Sequence, residues 1–166
     1  MPFLFLVAGL AVAAPTGYSA KVINVIDGDT LKVELAGQVE SIRLIGIDTP
    51  ESKANKKAKK DASRSQQDIR TIVGLGKAAC SFTKSMVKPG DLVQIEQDVQ
   101  PRDRYGRILG YVYLSSGKML NEEIISAGYA SVMTIPPNVR HQDLFVRANR
   151  TAREKKLGLW ATPLNQ

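Results

Sequence analysis

Cysteine and histidine are each present once in this chain, and aromatic residues make up only 6% of it. A single cysteine, Cys80, excludes an intrachain disulfide and any cysteine-based zinc site. On an apolar helical face, a lone thiol of this kind reads as small core filling. A single histidine, His141, excludes a histidine cluster, and with it a His-based metal centre or a Ser-His-Asp type of nucleophile. The scarcity of aromatics leaves little for a platform on which successive bases stack. There is no internal repeat and no apolar run of membrane-spanning length. The longest such run, Phe3–Ala14, is too short for a confident span and has the length of a secretory signal core.

What is present is positive charge and a core. The chain has 166 residues, 43% of them hydrophobic, enough for one domain with a real interior. Its formal net charge is +7 and its pI about 9.6. Such a balance favours an anionic partner, either nucleic acid or an anionic membrane.

Residues 1–20 are expected to form a signal peptide or an uncleaved membrane anchor. The positive leader of an ordinary signal is missing and the cleavage end is unclear, since Pro15 follows the alanine-rich run. From Lys21 the pattern becomes strand-like. The β-branched run Val22–Ile26 breaks at Asp27-Gly28-Asp29, Thr30–Leu35 alternates in part, and Ala36-Gly37-Gln38 turns into a third strand over Val39–Ile47. Three such strands make a meander. Ser52–Arg70 is lysine-rich and has no large apolar residue before Ile69. A mobile loop and a solvated helix start both fit it, and its place after Glu51 suits either a phosphate-contacting flap or a solubilising loop.

Ile69, Ile72, Val73, Ala79, Phe82 and Met86 recur at helical spacing until Pro89-Gly90. Asp91–Asp98 and Ile108–Leu114 read as strands flanking the charged turn Arg102–Arg107. Asn121–Ala127 reads as a short helix with Asn121 as its N-cap and Gly128 at its end. A last helix spans roughly Val139–Lys156, and Leu159-Trp160 should pack back on the domain. The expected fold is therefore α+β and mainly β: a five-stranded OB barrel with a helix between strands three and four and two C-terminal helices.

The chemistry gathers at strand ends. Arg43 to Glu51 begins as a strand, and Pro50 should stop pairing near Asp48, delivering Arg43, Asp48 and Glu51 to one edge. In a meander of this length the Asp27-Gly28-Asp29 turn can lie beside that edge. Asp29 and Asp48 would then suit a hard divalent cation, with the Thr49 carbonyl as a third oxygen ligand. Arg43 and Arg107 each carry a planar fork that matches phosphate oxygens. Taken singly, each feature has an ordinary reading as a turn former, an ion pair or a solvated side chain. Together, in a basic protein, they point to phosphate chemistry.

Ile26-Asp27-Gly28-Asp29-Thr30, then Arg43-Leu44, Asp48-Thr49-Pro50-Glu51, Arg104-Tyr105-Gly106-Arg107 and Gly158-Leu159-Trp160 resemble the staphylococcal nuclease family, in order, from about Lys21 to Trp160. The resemblance implies a nuclease domain over residues 21–162 that cleaves DNA and RNA with calcium. It implies Asp29 and Asp48 as side-chain calcium ligands and Thr49 as a carbonyl ligand. Arg43 and Arg107 would bind the scissile phosphate, Glu51 would activate or position the attacking water, Tyr105 would lie near the nucleotide, and Asp27 would stand behind the ligands. Departure of the 5′ oxygen would leave 3′-phosphate ends. A monomer, secreted or periplasmic, or attached to a membrane through residues 3–14, is the matching expectation. Two departures stand out. The segment between Ser52 and Ala78 is longer than the family's loop, and Ser131–Pro137 lacks the tyrosines that flank a base. The alternatives are a noncatalytic OB-fold nucleic-acid-binding protein and a membrane-surface protein. The first would be expected to have lost some of these acidic or arginine positions, and the second gives no reason for them.

Overall fold

The computed structural model describes residues 17–161, so the apolar run Phe3–Ala14 lies outside the described residues. The first strand, β1 (Tyr18–Asp27), starts ahead of Lys21, in residues that the sequence pattern assigns to the leader. Its register shifts twice along β2 (Thr30–Leu35), between Val22 and Asn24 and between Val25 and Asp27. Irregularities of this kind bend a strand and help a small sheet close. β3 (Gln38–Leu44) completes the meander.

The single third strand expected over Val39–Ile47 is two strands. β3 ends at Leu44, and β4 (Gly46–Asp48) leaves the barrel to pair with a short β7 (Ser131–Met133). The break sits at Gly46, whose φ of +81° is open to glycine and strained for other residues. A side chain there would also overlap the Phe145 ring. Residues 42 to 47 are all buried, so both faces of this stretch are covered. Pairing ends at Asp48, opposite Ser131, as Pro50 requires.

β5 (Leu92–Glu96) and β6 (Ile108–Tyr113) close the barrel in the order β1-β2-β3-β6-β5. β3 and β6 run parallel, with Arg43 opposite Leu109, and the other pairs are antiparallel. The interior is filled by fully buried Leu31, Val33, Ile42, Ile95 and Val112. Cys80 is a buried free thiol in the same core, as expected of small filling.

Two helices, not one, connect β4 to β5. α2 (Ile69–Met86) is the expected one, and α1 (Lys56–Ser65) occupies the lysine-rich segment. α1 is a helix because Asn55 caps it, accepting the Ala58 N–H at 2.9 Å, and because Ala58 and Ala62 bury a narrow stripe on Ile72 of α2. A stripe of alanines leaves no periodicity of large residues to read.

α3 (Leu120–Ser126) begins with Met119, not Asn121, at its N-cap position. Asn121 lies inside the helix, fully buried. It accepts the Val112 N–H at 3.0 Å and donates to the carbonyls of Ile45 at 2.9 Å and Gly110 at 3.3 Å. The amide thus satisfies backbone groups beside the β3–β4 break, where sheet pairing cannot. α4 (Gln142–Glu154) buries Phe145 and Ala152, and a 3-10 turn over Gly158–Trp160 folds back so that the Leu159 N–H reaches the Gly128 carbonyl. No helix among the described residues is long and apolar enough to cross a membrane.

Candidate active site

The β1–β2 turn and the end of β4 are clamped together by Asp29. Its Oδ2 accepts the Thr49 N–H at 2.9 Å and the Thr49 hydroxyl at 3.0 Å, and its Oδ1 accepts the Thr30 hydroxyl at 3.0 Å. The turn must be thin for this, since a Cβ on Gly28 would sit 2.8 Å from Thr49 Oγ1. α2 fixes the turn from behind, with the Thr83 hydroxyl donating to the Gly28 carbonyl at 2.7 Å. The loop mouths of the first and third expected strands therefore do lie side by side.

Arg43 ties the two carboxylates to the strand break. One terminal nitrogen donates to the carbonyls of Leu44 at 2.9 Å and Ile47 at 2.8 Å. The other touches Asp48 Oδ1 at 2.9 Å and Asp29 Oδ2 at 3.2 Å. One Arg43 nitrogen thus bridges a carboxylate oxygen from each of the two strand ends. Asp29, Arg43, Asp48, Glu51, Tyr105 and Arg107 all line one cleft of about 730 Å³. Thr49 does not line it. It is buried behind Asp29, with its carbonyl turned toward α1.

The first turn of α1 supplies residues the sequence reading did not single out. The Lys57 ammonium lies 3.0 Å from Asp48 Oδ1, 3.0 Å from Glu51 Oε1 and 3.2 Å from the Thr49 carbonyl oxygen. Asn55, the α1 cap, donates its other end to Glu51 Oε2 at 2.6 Å. The Glu51 backbone rests on α2 at Gly76, where a Cβ would overlap the Glu51 carbonyl. Placement directly after Glu51 was the only sequence signal for these partners. Which lysine of the run turns inward depends on where the helix starts.

On the opposite wall, Asp103 shapes the charged turn. Its Oδ1 accepts the N–H groups of Tyr105 at 2.9 Å and Arg107 at 3.0 Å. Its Oδ2 accepts Arg107 Nε at 2.7 Å. Held by Nε, Arg107 keeps its two terminal nitrogens for another acceptor. Its guanidinium lies 5.5 Å from the centre of the exposed Tyr105 ring, and Arg104 donates to the Tyr105 hydroxyl at 2.6 Å.

The mouth is short of positive charge locally, although the chain is basic. Burial pushes the Asp48 carboxyl above its ordinary range, against the opposing pull of Lys57 and Arg43. Asp27 is raised as well, by burial and by the neighbouring charges of Glu51 and Asp29, despite N–H bonds from Gly28 and Ser52. Burial acts to lower the Lys57 ammonium, but its pairs with Asp48 and Glu51 outweigh that and hold it above its usual value.

This donor set fits a hard divalent cation. It offers the carboxylates of Asp29 and Asp48 on an open cleft, with the Thr49 carbonyl behind them on the α1 side, and burial leaves ionised Asp48 incompletely compensated. Asp29 Oδ1 carries one hydrogen bond and retains acceptor capacity. Among the described residues no three Asp, Glu, His or Cys side chains group so as to hold a metal ion by themselves. A ligand set of two carboxylates completed by backbone and water has the same openness.

Residues 41–162 match the family model described as "Staphylococcal nuclease homologue". This chain belongs to the staphylococcal nuclease family. It is 37% identical over 145 residues to "Thermonuclease" of Staphylococcus intermedius, covering 87% of this chain and 77% of that protein. It is 36% identical over 155 residues to "Thermonuclease" of Staphylococcus hyicus, covering 93% and 81%. The "SPbeta prophage-derived endonuclease YokF" of Bacillus subtilis (strain 168) is 34% identical over 138 residues, covering 82% of this chain and 42% of that larger protein. The closed five-stranded barrel with its flanking helices is the OB-type fold that the family resemblance implies.

Proposed function

We propose that this member of the staphylococcal nuclease family is a calcium-dependent hydrolase of DNA and RNA that leaves 3′-phosphate ends. Phosphodiester hydrolysis follows from family membership and from the thermonuclease and endonuclease names of its relatives. The observation that carries the rest is that carboxylates from two separate strand ends meet on one nitrogen of Arg43, with Glu51 and Arg107 in the same cleft.

Asp29, Asp48 and the Thr49 carbonyl would hold the cation. When bound, the cation would supply charge neutralisation to the phosphoryl oxygens. Arg107, free at both terminal nitrogens, is set to grip a phosphate oxygen and to gain strength as charge develops there. Arg43, whose terminal nitrogens already meet two carbonyls and two carboxylates, would bring a second guanidinium to the same phosphate by exchanging one of those contacts or through Nε–H. Glu51 orients a water for in-line attack and takes its proton. Tyr105, exposed and flanked by Arg104 and Arg107, would lie against the nucleotide. No covalent nucleophile is needed. We further propose a monomer that acts outside the cytoplasm, secreted or periplasmic, or attached to a membrane through residues 3–14.

The test is plasmid and RNA digestion by the purified chain in calcium, in magnesium and in chelator. Cutting in calcium and none in chelator is expected. Undiminished cutting in excess chelator would remove the metal from the mechanism.

A further inference from the structure

We propose that Lys57 is an internal cation that occupies the oxygens of the metal site until a divalent ion displaces it, so that the first turn of α1 sets how much metal the site requires. This rests on the reading of Asp48 and Thr49 as metal ligands. The Lys57 ammonium contacts Asp48 Oδ1 at 3.0 Å, Glu51 Oε1 at 3.0 Å and the Thr49 carbonyl at 3.2 Å. An ammonium has three N–H donors, and here each has an oxygen. Two of those oxygens belong to the residues that would bind the metal. A divalent ion and the Lys57 head therefore compete for the same atoms, and both cannot hold them at once.

Lys57 is set apart from the other lysines around it. Lys56, Lys59 and Lys60 on α1 are exposed, whereas Lys57 is half-buried, with 38% of its side chain accessible. That accessibility leaves a path for the head to swing outward while α1 stays in place. The helix itself is fixed by Asn55, which caps it and also donates to Glu51 Oε2 at 2.6 Å. With Lys57 inward, both oxygens of Glu51 are engaged by protein donors. Expulsion of the ammonium frees Oε1 toward the cleft. Metal entry and release of the base for water are then one event.

An occupied site lowers apparent affinity by the fraction of molecules in which it is open. An ammonium resident about nine-tenths of the time weakens calcium binding about tenfold. Calorimetric calcium titration of the full chain should thus find Lys57→Met tighter by about tenfold, and Lys57→Arg, which keeps the charge, within about twofold of wild type. A second measurement needs no variant. Mass-spectrometric amine labelling of the wild-type chain should show Lys57 becoming several-fold more reactive when calcium is added, with Lys59 and Lys60 unchanged.

Unchanged or weaker calcium affinity in folded Lys57→Met overturns the inference. So does a Lys57 labelling rate that calcium leaves constant or lowers, and that result decides the matter if the variant does not fold. Equal binding by wild type and Lys57→Met overturns this inference alone. Failure of both to bind calcium overturns the metal assignment with it. Binding by Lys57→Met but not by wild type supports it in its strongest form.

Discussion

Two ionic clusters in this domain are built from similar parts and come out differently. At the cleft, half-buried Asp48 lies beside Arg43 and Lys57 and half-buried Asp27 accepts the Gly28 and Ser52 N–H groups, yet burial keeps both carboxyls above their ordinary range. Where β5 and β6 meet the start of α4, Glu96 and Asp98 face Tyr113, Tyr111, Arg140 and His141. There Tyr113 donates to Glu96 at 2.7 Å, Tyr111 to Asp98 at 2.9 Å, and the Arg140 N–H to Asp98 at 3.0 Å. The Arg140 guanidinium pairs with Glu96, and His141 Nε2 lies 3.3 Å from it. Burial raises these carboxyls too, but the hydrogen bonds outweigh it and both end below their ordinary range. Burial and the hydrogen bond to a carboxylate push both tyrosines well above their usual value, which keeps them neutral donors. The second cluster is complete and acts as a staple between strands and helix. In the first, burial outweighs the donors at Asp27 and Asp48, and its cleft faces solvent. Carboxylates that burial leaves incompletely compensated, in an accessible place, are what separate a binding site from a structural ion network.

The largest effect that would break this contrast lies at Glu51. Glu51→Gln should lower kcat by about 10²–10⁴-fold while DNA binding holds, because the amide keeps the shape and loses the proton acceptor. Turnover equal to wild type would take Glu51 out of the chemistry. Next comes a matched pair of neutral substitutions. Asp48→Asn should weaken calcium binding roughly tenfold or more, through loss of ligand charge, without lowering the metal-free melting temperature. Glu96→Gln should leave calcium binding and cleavage alone and cost about 1 kcal/mol, or roughly 2–4 °C in melting temperature, since Arg140 is solvent-exposed and its pairing is screened. Equal loss of metal-free stability in both variants would erase the distinction between the clusters.

The contrast also explains what could be read in advance. Asp29, Asp48, Thr49, Glu51 and the arginines sit at strand ends and turns marked by Gly28, Pro50 and Gly106, whose conformational rules are local. Whereas Arg107 comes to the cleft from the β5–β6 turn, the convergence of Asp29 with Arg43, Asp48 and Glu51 was legible because a meander returns strand ends to one rim. The break at Gly46 was not, because it depends on Phe145 of α4 and on β7, a strand of three residues supplied from far along the chain. Asn121 looked like a cap by its type and position, yet its partners are backbone groups 9, 11 and 76 residues away. α1 escaped because its buried face is alanine. Lys57 escaped because only the helix start at Asn55 decides which lysine turns inward. Residues that obey a local rule declare themselves, while residues whose role is set by a distant partner do not.

The smallest expected effect concerns acid. Glu96 and Asp98 lie below their ordinary values of 4.5 and 3.8 in the folded protein, so the unfolded chain binds more protons near those values. Their contribution to stability is therefore whole above the unfolded range and drains away as pH falls through the lower folded values. Asp103 acts in the same sense and the raised Asp27 and Asp48 in the opposite one, so the test is a comparison: in thermal melts of the metal-free protein below about pH 5, Glu96→Gln should lose less stability on acidification than wild type, because one lowered carboxyl is gone. Neither Glu96 nor Asp98 lines the cleft, so the flattening should be the same with calcium and without it. A slope in Glu96→Gln identical to wild type would mean that these hydrogen bonds persist in the unfolded chain or add nothing, and the cluster would no longer be a staple.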